Sequence, residues 1–149
     1  MKVGNFCNRD VVITDRETSI LQAAKLMRRH HVGDIVVVEN QGKGNMPIGI
    51  ITDRDIVVEI LAEEIDLGKV TVGDAMGLDL YAVKEDDDLM ETAHLMRRHG
   101  IRRVPVVNVA GELVGIITLD DMIEVITEQL STLTLISGRE HQIEVERRA

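Results

Sequence analysis

Two segments of the chain carry residue types suited to ligand chemistry. They are Gly49-Ile50-Ile51-Thr52-Asp53-Arg54-Asp55 and Gly115-Ile116-Ile117-Thr118-Leu119-Asp120-Asp121. Each reads Gly, two apolar residues, Thr, two further residues, Asp. The apolar pair fits the end of a buried strand, and Thr followed three residues later by Asp fits the start of a helix. As a capping-box variant, Thr at the N-cap with Asp at N3 accounts for the spacing without any ligand. The same geometry also suits binding. A helix N-terminus offers unpaired N–H groups to an anion. A carboxylate one turn in accepts two hydrogen bonds from a vicinal diol such as a ribose. The Gly before the pair would let a flat ligand approach the strand backbone, and the Thr hydroxyl suits ribose or phosphate.

Catalytic motifs are absent from the sequence: it has no GxxxxGK[ST], GxGxxG, HExxH or GxSxG. His30, His31, His94 and His99 lie on or just after amphipathic stretches, without a second ligand set at metal spacing. They read as solvated helix-end side chains near the negative pole of a dipole. No catalytic residue, metal site or enzymatic activity is assigned.

The elements that position the two segments come in duplicate. Leu26-Met27-Arg28-Arg29-His30 recurs 69 residues on as Leu95-Met96-Arg97-Arg98-His99, and Gly49-Ile50-Ile51-Thr52 recurs 66 residues on as Gly115-Ile116-Ile117-Thr118. The difference of three falls at Gln41-Gly42-Lys43-Gly44-Asn45, where an extended turn tolerates an insertion. Each copy reads strand, helix, strand, strand, helix. In the first, 10–13 form a short strand, and Ser19 with Gln22 caps a helix carrying Ile20, Ala23, Ala24 and Met27 on one face. Residues 35–38 and 48–51 form a hairpin buried on both faces, and a helix runs over 53–63. In the second, 80–83, a helix capped by Asp88 with Glu91, the strands 104–107 and 113–117, and a helix from Leu119 repeat the order. The expected class is α/β (α+β), with two β-α-β-β-α units related by a pseudo-two-fold axis and their sheets packed together. The divisions are 1–66, 67–128 and a tail, 129–149.

With 149 residues, 44% of them hydrophobic and 29% charged, the chain excludes disorder, and one shared core suits its length. A single Phe, a single Tyr and no Trp leave the core to aliphatic residues and Met. A net charge of −9 and the near-absence of aromatics argue against nucleic acid and against an anionic membrane surface. The lone Cys7 cannot form an internal disulfide. Neither a signal peptide nor a membrane span is visible, and a cytoplasmic setting is expected.

The duplicated pattern resembles the tandem CBS domain pair, or Bateman module. The matching residues are 31–38 (His-Val-Gly-Asp-Ile-Val-Val-Val) with 49–55, and 99–107 (His-Gly-Ile-Arg-Arg-Val-Pro-Val-Val) with 115–121; Val72-Gly73-Asp74-Ala75-Met76 resembles the lead-in to the second copy. The resemblance covers about residues 8–128 and is closest to small stand-alone bacterial and archaeal pairs. It implies a non-catalytic sensor that binds an adenosyl nucleotide such as AMP, ADP, ATP, NAD or S-adenosylmethionine between the repeats. No cofactor is required; the nucleotide is the regulatory ligand. By the same resemblance, Asp55 and Asp121 would hold ribose hydroxyls, while Thr52 and Thr118 meet ribose or phosphate. One site would use Ile101, Arg102 and Arg103 with Thr52 and Asp55. The other would use Val32, Gly33 and Asp34 with Thr118 and Asp121. The usual Pro before the hydrophobic strand is present as Pro105, but Val36 replaces it in the first copy.

The two sites are expected to differ. Arg102 and Arg103 would draw a phosphate to the first, with Ile50, Ile101 and Val70 making an aliphatic adenine slot. Asp34 would repel phosphate from the second. In the tail, Leu130, Leu133 and Ile136 have partial helical spacing that Ser137-Gly138 interrupts, and 142–148 fits strand or helix equally. Such apolar residues, and the resemblance, point to a homodimer. The signal is expected to be read by an effector protein in trans. The competing function is a ligand-free dimeric scaffold of the same fold.

Overall fold

The computed structural model of the protein describes residues 1–149 apart from Gln41 and Lys43. Two three-stranded sheets lie at its centre. In the first, β1 (Ile13–Thr14) runs parallel to β2 (Asp34–Asn40), which pairs antiparallel with β3 (Asn45–Thr52). In the second, β4 (Val83–Lys84), β5 (Arg103–Val107) and β6 (Leu113–Thr118) repeat that order. The helices α1 (Ile20–His30) and α4 (Leu89–His99) cross between the first two strands of each copy. α2 (Asp53–Asp55) and α5 (Leu119–Arg148) follow the third strands, and α3 (Val72–Ala75) lies between the copies. The mixed class and the duplication are as the sequence implies. The short leading strands begin at Ile13 and Val83, about three residues later than the periodicity places them. Two residues of the extended turn, Gln41 and Lys43, lie outside the described residues.

The β-branched run of β2 is buried on both faces because two different layers cover it. Ile35 and Val37 face Ile20, Ala23 and Met27 of α1. Val36 and Val38 face the other sheet, where Ile116 of β6 meets them, with Ile50 and Leu113 alongside. The sheets therefore pack together through aliphatic side chains. Both crossover helices end in a left-handed residue, Gly100 (φ 63°) in the second copy and His31 (φ 54°) in the first. Ser19 caps α1 by accepting from Gln22 N at 3.2 Å, and Asp88 caps α4 by accepting from Met90 N and Glu91 N.

Two helices depart from expectation. The helix foreseen over 53–63 is a single α-turn, α2, followed by a π-helix over Ile56–Leu61. Three successive β-branched side chains, Ile56, Val57 and Val58, lower the preference of this stretch for a regular α-helix. The tail is not interrupted at Ser137-Gly138. α5 continues through it to Arg148. One glycine costs a helix only about 1 kcal/mol, and the flanking Leu, Glu, Gln and Arg residues favour helix.

The copies are interlocked by their leading segments. Val3, in a 3₁₀ turn over Val3–Asn5, is fully buried among Val83, Leu89, Val104 and Ile117 of the second copy. Val72 and Met76 are buried in the first copy, beside Ile20, Met27 and Val37. The backbone bonds match at the same 69-residue offset. Val3 N and Gly4 N donate to the carbonyls of Asp87 and Glu85, both at 2.9 Å; Val72 N and Gly73 N donate to those of Thr18 and Arg16 at 2.7 and 2.9 Å. Both glycines are obligatory for this approach. A Cβ on Gly4 would sit 3.0 Å from the Glu85 carbonyl oxygen, and one on Gly73 would sit 2.8 Å from Arg16 Cβ. Gly4→Ala and Gly73→Ala should each destabilise the fold by about 1–3 kcal/mol. Gly138→Ala, whose Cβ meets open space within α5, should stabilise by about 0.5–1 kcal/mol. Denaturant unfolding of the three variants checks the contrast; equal effects would mean that the leading segments dock loosely.

Candidate functional site

Two clefts lie where the copies meet, and the repeat makes them equivalent residue for residue. The larger, about 520 Å³, is lined by Ile50, Thr52 and Asp55 after β3, by Gly77, Asp79, Leu80 and Tyr81 before β4, and by Ile101, Arg102 and Arg103 at the entrance to β5. The smaller, about 130 Å³, is lined by the counterparts Ile116, Thr118 and Asp121, Asn8, Asp10, Val11 and Val12, and Val32 with Asp34. The first falls in the range of small-molecule sites, roughly 300–1,000 Å³, and the second below it.

The difference in size has a local cause. In the first copy the leading segment is tied down at two points. Asn8 exchanges both backbone hydrogen bonds with Ile116, at 2.8 and 2.9 Å, and Val36 N donates to the Val12 carbonyl at 3.0 Å. At the position equivalent to Val36 stands Pro105, which has no N–H to offer Tyr81. Gly77 stands clear of Ile50, and a Cβ built on it would meet nothing within 4 Å. Tyr81 instead stacks on His99, ring centroids 3.9 Å apart and planes inclined by 24°. The segment over 77–81 therefore stands off the sheet and the cleft opens.

Both Thr-x-x-Asp segments form full capping boxes. Thr52 N donates to Asp55 Oδ2 at 2.9 Å, and Asp55 N donates to Thr52 Oγ1 at 3.1 Å. Thr118 N and Oγ1 both donate to Asp121 Oδ2, at 2.8 and 2.7 Å. Capping and a place in a cleft thus coexist: one carboxylate oxygen is engaged in the cap, and the other remains for a ligand. Removing either carboxylate should cost stability as well as any binding. Asp55→Ala and Asp121→Ala should each lower it by about 1 kcal/mol, and the Asn variants, which keep an accepting oxygen, by less. Thermal unfolding measures this; no loss in either Ala variant would mean that the boxes contribute nothing.

Electrostatics corrects the charge reading of the sequence. Asp34 does not stand as an unopposed charge in the small cleft. Arg103 Nη1 donates to Asp34 Oδ2 in a tight ion pair whose side chains are only 29% and 22% exposed. The two residues are 69 apart and occupy equivalent positions at the junction of the copies, so one pair joins both clefts. Arg102 is mostly exposed, with Asp120 at 3.9 Å, a spacing worth little in water.

Of the ten sequence-derived candidates, Thr52, Asp55, Ile101, Arg102 and Arg103 come together in the large cleft. Val32, Asp34, Thr118 and Asp121 come together in the small one. Gly33 lines neither. Its carbonyl accepts from Asp53 N at 3.0 Å, and a Cβ on it would lie 3.1 Å from Asp53 Oδ2. The glycines before the Ile-Ile pairs do not leave room for a flat ligand either. The space over Gly49 is filled by Met76, whose Sδ is 2.6 Å from a Cβ position, and that over Gly115 by Cys7 Sγ at 2.7 Å. Burial there pushes the Cys7 thiol up. Val70 packs into the first core rather than the cleft. Sequence reasoning missed Tyr81, Asp79 and Arg54, which also line the large cleft; Arg54 lies inside a Thr-x-x-Asp segment, whereas no motif marks the other two.

Among the described residues no group of His, Cys, Asp and Glu is placed to hold a metal ion, and no helix is long and apolar enough to cross a membrane.

The sequence profile of the CBS domain matches residues 3–62 and 72–128, and the chain belongs to that family. An uncharacterized protein of Methanopyrus kandleri is 34% identical over 125 residues, covering 84% of this chain and 62% of that protein, so the chain spans less than two thirds of that relative. The CBS domain-containing protein YhcV of Bacillus subtilis is 39% identical over 104 residues, 70% of each chain. Among solved structures, the CBS domain pair of protein MJ0100, in complex with 5′-methylthioadenosine and S-adenosyl-L-methionine, superposes with a TM-score of 0.75 at 26% identity, covering 87% of this chain and 98% of that one. The chain is a CBS-pair regulatory module.

Proposed function

We propose that this module senses an adenosyl compound in the larger cleft and passes the signal to a partner in trans. The observation that carries the reading is the cleft's composition: a ribose-competent carboxylate, an apolar slot and cations converge on one cavity of about 520 Å³. Asp55, held by Thr52 through Oδ2, would accept a ribose hydroxyl at its other oxygen. Ile50, Ile101, Leu80 and Tyr81 would enclose the base, and Arg54 and Arg102 would meet a 5′ substituent. The adenosyl ligands of the MJ0100 pair support this class of molecule. A thermal-shift panel of adenosine, AMP, ADP, ATP, NAD and S-adenosylmethionine tests it. A ligand at 100 times its Kd adds about 2.7 kcal/mol, a rise of several degrees in Tm at this size. Asp55→Ala should abolish most of that rise and Asp121→Ala should matter much less. The reverse order would invert the site assignment, and a flat panel would leave the scaffold reading.

The second reading, a dimeric scaffold, draws on exposed apolar helix faces. Val57 and Leu61 are 53% and 58% exposed in the first copy, and Ile123 and Ile126 are 55% and 42% exposed in the second. Beyond them α5 carries Leu130, Leu133 and Ile136, each about 60% exposed on a stretch that packs against neither sheet. Monomers rarely leave so much apolar surface open. Dimerisation is compatible with sensing, and a homodimer through these helices is expected in either case. Light scattering at micromolar concentration should give about twice the chain mass of 16.6 kDa; a species of 16.6 kDa would remove the dimer.

A further inference from the structure

Asp34 belongs by sequence to the small cleft, yet it acts on the large one. Its carboxylate holds Nη1 of Arg103, a residue lining the large cleft. We propose that Asp34 is a specificity-determining residue for the large cleft, setting the charge of the ligand it accepts by keeping the Arg103 guanidinium from a phosphate. The inference rests on the reading of that cleft as an adenosyl site and adds the ligand's charge class: compounds with no phosphate or one are favoured over di- and triphosphates.

The charges around the cavity support this. Asp53, Asp55 and Asp79 line it together with Arg54, Arg102 and Arg103. Three carboxylates offset three guanidiniums, and Asp34, paired with Arg103, adds a fourth negative charge. A phosphate is best held by the two-pronged fork of a guanidinium whose donors are free. Here one prong is occupied, in a pair largely withdrawn from solvent, where charges are screened least. A monophosphate can still use Arg54 or Arg102. Each further phosphate adds negative charge to a cleft whose four carboxylates, Asp34 included, already outnumber its three guanidiniums.

Calorimetry of the full chain with adenosine, AMP, ADP and ATP at fixed ionic strength tests the inference. On the wild-type protein, affinity should fall from AMP to ATP; ATP as the tightest ligand overturns the proposal without need of any variant. In Asp34→Asn the charge that holds the guanidinium is removed and only a weaker neutral acceptor is left, and the ratio of ATP to adenosine affinity should rise at least about tenfold, the worth of one charge-assisted hydrogen bond. In the double variant Asp34→Asn, Arg103→Gln that gain should vanish. An unchanged ratio in Asp34→Asn, or a gain that persists without Arg103, overturns the proposal while leaving the cleft an adenosyl site. Binding of none of the four overturns the proposal, and the adenosyl reading falls with it only when NAD and S-adenosylmethionine also fail to bind.

Discussion

Each copy of this protein is completed by a piece of chain that precedes the other copy. Val3 closes the second core and Val72 the first, and both are placed by backbone hydrogen bonds to the turn just before the partner's crossover helix. A domain of about 60 residues buries too little surface to be comfortable alone. Exchange of the leading segments makes two such units into one. It also fixes the clefts, because the residues that follow each exchanged turn, 8–12 and 77–81, are the ones that wall them. The geometry of binding is therefore a by-product of how the cores are closed.

Against that symmetric frame, a few substitutions break the equivalence. Pro105 in place of Val36 removes one N–H, and Gly77 in place of Asn8 leaves a segment unpaired. The result is a fourfold difference in cavity volume, about 520 against 130 Å³. Asp34 and Arg103 make the other break: equivalent positions carry opposite charges, which is why they can pair across the junction. A strictly symmetric chain would place like charges there, at a cost.

Much of this was legible in the sequence. The repeat, the strand order and both Thr-x-x-Asp helix starts follow from spacing alone, because periodicity and capping are local rules. The resemblance groups Thr52, Asp55, Ile101, Arg102 and Arg103, and the structure brings these five into one cleft. The failures were tertiary. Nothing in Gly49 or Gly115 says that Met76 or Cys7 occupies the space above it. Asp34 and Arg103 lie far apart in sequence, so a local reading hides their pairing and expects only that Asp34 repels phosphate. The π-helix over Ile56–Leu61 and the unbroken α5 show weak local preferences, a β-branched run and one glycine, resolved by surroundings that a sequence window does not contain.

The exchanged segments also impose an order on folding during synthesis. The first sheet cannot be closed when β3 leaves the ribosome at Thr52, since Val72 and Met76 have yet to emerge. Val3, made well before the core it joins, must wait in water until β6 is complete at Thr118. The nascent pair of copies is thus held open until its last strand is made, with contacts of long sequence separation forming last, a topology that slows folding and lengthens exposure of apolar strands. The many charged residues of the chain would keep that waiting intermediate in solution.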